Sequence, residues 1–258
     1  MGARKAVLLA LTALAAFVPA TEAAPLQRWT LVDTRPHDAT AFTQGLVAYR
    51  GVLLESTGLL GQSTVRRVDA TTGQVLASTA LAAYEYGEGL TVLDGSATQL
   101  TWTQNVLHTY NPTTLAVTGT RRYRFEGWGL TTNGRQLIAS DGSATLRWLD
   151  PATLRVTKTV KVTDEGAAIY DLNELEYRDG IIWANVWRSD RIALIDPATG
   201  KVRAWLDMTR LRQRLSAPGE VLNGIARDPI TNHMVVTGKV WPQLFVIKRA
   251  GRVPAVTH

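Results

Sequence analysis

Gln44-Gly45-Leu46 is the first of five short motifs that decide the fold of this chain. In each motif a polar or aromatic residue and a spacer precede a bulky apolar residue. The other four are Glu88-Gly89-Leu90, Trp128-Gly129-Leu130, Asn173-Glu174-Leu175 and Asn223-Gly224-Ile225. Their starts are separated by 44, 40, 45 and 50 residues. A repeat of roughly 40–50 residues that contains strands is typical of the blades of a β-propeller.

A second series of turn motifs has the same period but a different phase. It consists of Asp69–Gly73, Asn111–Thr114, Asp150–Thr153 and Asp196–Gly200, which start 42, 39 and 46 residues apart. Asp, Pro and Gly at these places favour tight turns between strands. The two series together predict an all-β, five-bladed β-propeller.

The fifth repeat lacks the outermost strand of its blade. Arg28–Thr34, near the start of the folded part, has a strand pattern but no blade of its own. We expect this segment to supply the missing strand and so to close the ring, because an open ring would leave exposed strand edges. The longest insertion, Met208–Glu220, is rich in Arg and Leu and predicts one turn of surface helix.

The first 23 residues have the pattern of a secretory signal. Arg4 and Lys5 precede the apolar run Ala6–Ala20, and small residues follow it. This order matches the basic, apolar and cleavage regions of a signal peptide. A retained membrane anchor is the alternative, but the run is short for a span. We therefore expect residues 1–23 to be removed, residues 24–258 to form the propeller domain, and the mature protein to be periplasmic or secreted, without a membrane attachment.

Composition excludes several kinds of site. The chain has no cysteine, which rules out disulfides, thiolate catalysis and cysteine zinc sites. Its formal net charge is +6, but the basic residues are scattered, with only a mild cluster at Arg210, Arg212 and Arg214. Nucleic-acid binding would favour a stripe of basic and aromatic residues. We therefore expect no nucleic-acid partner.

The repeat also predicts where chemistry occurs. Equivalent positions of the blades converge near the axis of a propeller, so the motif heads Gln44, Glu88, Trp128, Asn173 and Asn223 should lie near one another. Trp102, Trp128 and Trp187 lie in short polar motifs near strand ends and are candidates for a pocket wall, whereas Trp183 and Trp205 are expected in the core. An apolar pocket with a few convergent polar groups is the usual form of a ligand site.

Ten ordered motifs resemble those of the plant and bacterial glutaminyl-peptide cyclotransferases, a family built on a five-bladed propeller. They include Phe42–Leu46, Tyr86–Thr91, Glu126–Thr131, Leu172–Tyr177 and Thr237–Pro242, and the resemblance runs from about residue 30 to 248. It implies conversion of an N-terminal glutamine of peptides or proteins to pyroglutamate, with release of ammonia. It also implies a set of site residues: Gln44, Glu88, Trp102, Trp128, Asn173, Trp187 and Lys239, with Phe42 and Tyr86 lining the pocket. Tyr86 stands where the family commonly carries Phe.

The residue types suit this reaction. An α-amine with a pKa of roughly 8 must lose a proton before it attacks, and the leaving nitrogen must gain one. Glu88 is expected to shuttle this proton, with its pKa raised by desolvation. Asn173 and Lys239 are expected to donate to the developing oxyanion. Gln44 is expected to orient the substrate, and the tryptophans to hold the glutaminyl chain in a folded shape.

Other functions remain open at this point. A non-catalytic propeller that binds a peptide or a sugar has no need of a proton shuttle beside a cation. A lactonase or a quinone-dependent dehydrogenase would need metal ligands or a large cofactor cleft. The four histidines show no paired ligand spacing, so we expect no catalytic metal and no required cofactor. A structural calcium ion in the channel is compatible with the sequence. Since a closed ring is stable alone, a monomer is expected.

Overall fold

Residues 23–251 and Val253 are described by the structure, a computed structural model. The predicted signal segment Met1–Ala23 therefore lies, except for Ala23, outside the described residues. Nothing helical in the described part of the chain combines the length and the apolar character that crossing a membrane requires.

The described residues form twenty-two strands and one short helix. The first half of the chain contains β1 (Trp29–Pro36), β2 (Thr43–Tyr49), β3 (Val52–Thr57), β4 (Thr64–Val68), β5 (Val75–Ala80), β6 (Gly87–Leu93), β7 (Ser96–Thr101), β8 (Val106–Tyr110), β9 (Val117–Arg122), β10 (Leu130–Thr132), β11 (Leu137–Ala139), β12 (Thr145–Leu149) and β13 (Val156–Lys161). The second half contains β14 (Thr163–Asp164), β15 (Ala167–Ala168), β16 (Leu172–Arg178), β17 (Ile181–Val186), β18 (Arg191–Ile195), β19 (Val202–Asp207), α1 (Thr209–Arg212), β20 (Leu222–Arg227), β21 (Met234–Gly238) and β22 (Gln243–Arg249).

Five four-stranded antiparallel sheets form the five predicted blades. The first four are β2–β5, β6–β9, β10–β13 and β16–β19, each in sequence order. In the fifth blade the order is β1-β22-β21-β20, so the N-terminal strand supplies the outermost strand, as predicted. The innermost strands β2, β6, β10, β16 and β20 each contact the next around the ring, and β20 contacts β2. The ring is therefore closed, and the short helix α1 lies in the predicted insertion.

The motif glycines let the innermost strands approach one another at the axis. A Cβ atom on Gly45 would lie 2.4 Å from the backbone nitrogen of Leu90, and one on Gly89 would lie 2.3 Å from that of Leu130. In the fourth blade Glu174 takes the glycine position. Its carboxylate accepts hydrogen bonds from the backbone N–H of Leu46, at 3.2 Å, and of Ile225, at 2.8 Å. Glu174 therefore joins blades one, four and five at the centre.

Clusters of apolar residues between neighbouring blades form the core. The largest contains Trp183, Met208, Trp241 and Phe245, which pack between blades four and five. Trp205 packs with the cluster between blades three and four. Trp183 and Trp205 are thus core residues, as predicted. The turn motifs of the second series connect the third and fourth strands of their blades; in one of them Asp150 Oδ1 accepts a hydrogen bond from the Thr153 N–H at 2.7 Å.

Two buried charged groups fasten the N-terminal segment to the ring. Arg35 in β1 forms a two-pronged ion pair with Asp228, which follows β20, at 2.8 and 3.0 Å. His37, just after β1, faces two acceptors: the Trp241 carbonyl oxygen at 2.7 Å and Glu55 Oε1 at 3.0 Å. Burial opposes charge on both partners of this second pair. The attraction between the two opposite charges outweighs this effect of burial, so the pKa of His37 is raised and that of Glu55 is lowered to about 2.

Candidate active site

A β-bulge in the innermost strand positions most of the motif heads. In β6, Gly87 pairs with Thr101 but Leu90 pairs with Gln99, so that Glu88 and Gly89 together oppose one residue of β7. The same shift in register occurs at Gln44 in β2, at Asn173 in β16 and at Asn223 in β20. A bulge re-aims a side chain out of the regular alternation of a strand. The repeated motif is therefore the sequence of this bulge.

All nine predicted site residues line one cavity of about 330 Å³. They are Phe42, Gln44, Tyr86, Glu88, Trp102, Trp128, Asn173, Trp187 and Lys239. Arg188, Glu220 and Val221 also line it and were not predicted. Arg188 directly follows Trp187, and its guanidinium lies 4.0 Å from the centre of that indole ring. The position of Arg188 next to a predicted site residue could therefore have identified it from the sequence. Glu220 and Val221 end the long insertion, where the sequence carries no corresponding signal.

Glu88 lies at the inner end of this cavity. It is 5% exposed, and its Oε1 accepts one hydrogen bond, from Gln44 Nε2 at 3.0 Å. The Asn223 amide donates to Gln44 Oε1 at 3.2 Å and to the Thr43 carbonyl oxygen at 3.0 Å, which fixes the orientation of the Gln44 amide. Asn223 thus does not line the cavity itself but holds Gln44, which does. Glu88 itself lines the cavity, and the Gln44 amide is its one hydrogen-bond donor among the described residues.

Burial raises the pKa of Glu88 well above its ordinary value of 4.5. The nearby Lys239 ammonium opposes this shift, and the negative charge of Glu126 adds to it. A single neutral donor, Gln44, stabilises the carboxylate only weakly, so desolvation dominates. A carboxyl group with a raised pKa can exchange a proton near neutral pH, which suits a general base that later acts as an acid.

Lys239 follows β21, and hydrogen bonds of its backbone groups fix its position beside the cavity. Its N–H donates to the Val221 carbonyl oxygen, and its carbonyl oxygen accepts from the Glu220 N–H, both at 2.9 Å. The side chain is 5% exposed, and Nζ lies 4.6 Å from the centre of the Phe42 ring. Burial lowers the pKa of Lys239, while the charges of Glu88 and Glu220 raise it. The ammonium is therefore a partly desolvated cation on the wall of the cavity.

Asn173 presents its amide to the same space. The residue is 3% exposed, and its Oδ1 is buried without a hydrogen-bond partner among the described residues. Its backbone carbonyl oxygen accepts from Ser140 Oγ at 2.7 Å, which ties β16 to the third blade. Asn173 is thus an amide that lines the cavity from a fixed backbone.

Aromatic rings form the outer walls. Trp128 and Trp187 pack edge to face, with ring centres 5.6 Å apart, and Tyr86 and Trp102 pack at 5.7 Å. The backbone nitrogens of Trp102 and Trp187 donate to Tyr86 and Asp171, which holds each ring at its strand end. Gly142, with φ of +75°, lies under Trp128, where a Cβ would come within 2.8 Å of the ring. Burial, followed by the charge of Glu88, raises the pKa of Tyr86 to about 12, so its hydroxyl stays neutral.

Two larger cavities lack this combination of groups. One, of about 600 Å³, lies beside Glu85, His108 and Tyr110, and another, of about 520 Å³, lies beside Arg178, Trp183 and Arg249. Neither contains a motif head. Within residues 23–251, His, Asp and Glu side chains form no group of three that could hold a metal ion.

Comparisons with known proteins identify the family of this chain. The family model for glutamine cyclotransferase matches residues 5–249. A glutaminyl-peptide cyclotransferase from Arabidopsis thaliana is 43% identical over 219 residues, which are 83% of this chain and 68% of that protein. The crystal structure of a glutaminyl cyclase from Myxococcus xanthus superposes with a TM-score of 0.81 at 36% identity, over 87% of this chain and 98% of that one. The chain therefore belongs to the glutamine cyclotransferase family.

Proposed function

We propose that this protein is a glutaminyl-peptide cyclotransferase, an acyltransferase that converts the N-terminal glutamine of peptides or proteins to pyroglutamate and releases ammonia. The observation that carries the proposal is the buried carboxyl group of Glu88, which lines a cavity together with Trp102, Trp128 and Trp187. The family to which the chain belongs supports the same reaction.

In the proposed mechanism the glutaminyl residue lies folded between the indole rings. This places the α-amine near the γ-carboxamide carbon, which reduces the entropic cost of ring closure. The α-amine attacks in its neutral form, after it has lost its extra proton to solvent, and Glu88 takes one proton from the attacking nitrogen as the new C–N bond forms. It then gives one proton to the departing nitrogen, the old C–N bond breaks, and NH₃ leaves. Glu88 finishes in the protonation state in which it began.

Lys239 and Asn173 are proposed to stabilise the charge that develops on the carboxamide oxygen. Both residues line the cavity, and both carry side-chain N–H donors on a backbone that is held by hydrogen bonds. A donor of this kind typically contributes a few kcal/mol to the transition state. Gln44 is proposed to hold Glu88 in place, because its Nε2 can donate to either protonation state of the carboxyl group.

The proposal extends to the setting of the enzyme. The pattern of residues 1–23 supports export to the periplasm or the cell exterior, with no membrane attachment afterwards, and the closed ring supports a monomer that acts on peptides. We propose that no metal or other cofactor takes part in the reaction. The proposal is compatible with a calcium ion in the channel that has a structural role only.

The direct test is an ammonia-release assay with a short Gln-initiated peptide. The same peptide with N-terminal Glu is the matched control, because it lacks the leaving nitrogen. Ammonia release, with loss of 17 mass units from the Gln peptide in roughly equal amount, is expected because cyclisation expels NH₃. Binding of the Gln peptide without ammonia release would instead assign the site to a non-catalytic peptide-binding propeller, the alternative raised by the sequence.

A further inference from the structure

One carboxylate at the mouth of the cavity holds two of its tryptophans. Glu126 Oε1 accepts a hydrogen bond from the indole Nε1–H of Trp102 and another from that of Trp128, the latter at 2.9 Å. Trp102 belongs to the second blade and Trp128 to the third. A single oxygen therefore joins the indole rings of two blades.

Each of the two indoles that donate to Glu126 also packs against a second aromatic ring. Trp102 packs against Tyr86, and Trp128 packs edge to face against Trp187. Trp102 is 40% exposed, so packing alone restrains its ring weakly. A hydrogen bond to a charged acceptor is roughly twice as strong as a neutral one, and here it is directional. Glu126 thus contacts two of the aromatic walls directly, and each of these two packs against one further ring.

The backbone around Glu126 is itself fixed. The Gly127 N–H donates to the Trp102 carbonyl oxygen at 3.3 Å, and Asn105 Nδ2 donates to the Phe125 carbonyl oxygen. A Cβ on Gly127 would lie 2.8 Å from the Thr101 carbonyl oxygen, so only glycine permits this close approach. The carboxylate is therefore presented from a rigid segment, although its side chain is exposed.

We propose that Glu126 is a positioning residue for the cyclisation, which holds Trp102 and Trp128 in the arrangement that folds the glutaminyl chain and which places a negative charge beside the cavity that contains Glu88. This inference rests on the proposed function. Glu126 does not touch the reacting atoms and exchanges no proton with the substrate. Its effect on the reaction passes through the two indoles and through the electric field at Glu88.

The charge of Glu126 acts within a defined electrostatic setting. Lys239, Tyr86, Glu220 and Arg188 line the cavity together with Glu88. The charges of Glu126 and Glu88 also interact through space, and Tyr123 lies within reach of both. Glu126 raises the pKa of Glu88, in addition to burial. Removal of the Glu126 charge should therefore move the inflection that reports Glu88 to lower pH.

Two substitutions separate the two effects. Glu126→Gln keeps an oxygen acceptor for the indoles and removes the charge, so the pH profile of kcat/KM should shift to lower pH with a KM within about 3-fold of wild type. Glu126→Ala removes the acceptor as well, so KM should rise by about 5-fold or more, the size of a lost hydrogen bond, with a smaller change in kcat. Glu165→Gln is the matched control, since Glu165 is exposed on the β14–β15 hairpin.

Acrylamide quenching of tryptophan fluorescence tests the contact of Glu126 with the indoles without reference to activity. Release of Trp102 in Glu126→Ala should increase quenching relative to wild type and Glu165→Gln, in a protein of unchanged circular dichroism. If quenching, KM and the pH profile of both Glu126 variants match those of Glu165→Gln, the inference is wrong. If wild type releases no ammonia from any Gln peptide, the proposed function fails, and the quenching result still decides whether Glu126 holds the indoles.

Discussion

Replacement of Glu88 by Gln is the sharpest test of the proposed chemistry. The side chains have the same shape, and a glutamine oxygen can still accept from Gln44 Nε2, so the local hydrogen bond and the cavity wall are retained. Only the ability to take and return a proton is lost. That ability typically contributes a factor of about 10²–10⁴ to the rate. At about 1.4 kcal/mol per factor of ten, the barrier should rise by about 3–5 kcal/mol.

The loss should appear in kcat and only weakly in KM, because ground-state contacts persist. The assay is continuous ammonia release from a Gln-initiated peptide across a range of pH, with Glu165→Gln as the surface control. In wild type, one inflection should lie well above pH 4.5, because burial raises the pKa of Glu88 and the base form becomes available only as pH rises through that value. The residual activity of Glu88→Gln should lack this inflection.

A second variant guards against misfolding as the cause of lost activity. Glu88→Asp keeps a carboxyl group but shortens the side chain by one methylene, so it should retain the inflection while losing rate. Circular dichroism and the unfolding midpoint should match wild type in both variants. A kcat of Glu88→Gln within about 3-fold of wild type would refute the proton-transfer role and the mechanism built on it.

The remaining predictions concern ring closure, acid stability and metal independence. Asp228→Ala removes one of the two carboxylate partners of the buried Arg35 guanidinium, which keeps Asp33, and should lower the free energy of unfolding by about 1.5–3 kcal/mol in urea titrations, whereas Asp179→Ala, at an exposed pair, should cost less than about 1 kcal/mol. Because the pKa of Glu55 falls from 4.5 to about 2 on folding, its share of stability, on the order of 3 kcal/mol, is present above pH 4.5 and lost as pH falls toward 2. In Glu55→Gln the free energy of unfolding should therefore fall less steeply as the pH is lowered from 4.5 to 2. An unchanged fall would contradict the role given to Glu55 in acid stability. The raised pKa of His37 has the opposite sign, so its contribution is present below pH 6.5 and is lost as pH rises through its folded value. Ammonia release should survive exhaustive dialysis against a chelator; loss of activity that added zinc restores would contradict a metal-independent mechanism, and a lower unfolding midpoint that added calcium restores would reveal a structural calcium ion.

The sequence specified the architecture because the blade is a local unit. Each of the first four repeats contains its own four strands and turns within about 45 residues, so the pattern from Gln44 to Ile225 can be recognised without long-range information. Closure by the N-terminal strand also follows from counting strands. The small β14–β15 hairpin and the very short strands β10 and β11 did not follow, because two or three residues give too little periodicity to detect.

The site was predictable to the extent that its residues occupy repeat-equivalent bulges or strand ends, as Gln44, Glu88 and Asn173 do. What only the tertiary structure decided is the relation between blades. The joint hold of Glu126 on Trp102 and Trp128, the bridge of Glu174 to blades one and five, and the desolvation that raises the pKa of Glu88 all depend on groups far apart in the chain. The repeat determines which residues reach the axis. The distances between blades determine which of these residues interact through hydrogen bonds or charges. Such interactions act over a few ångströms and do not depend on separation along the chain.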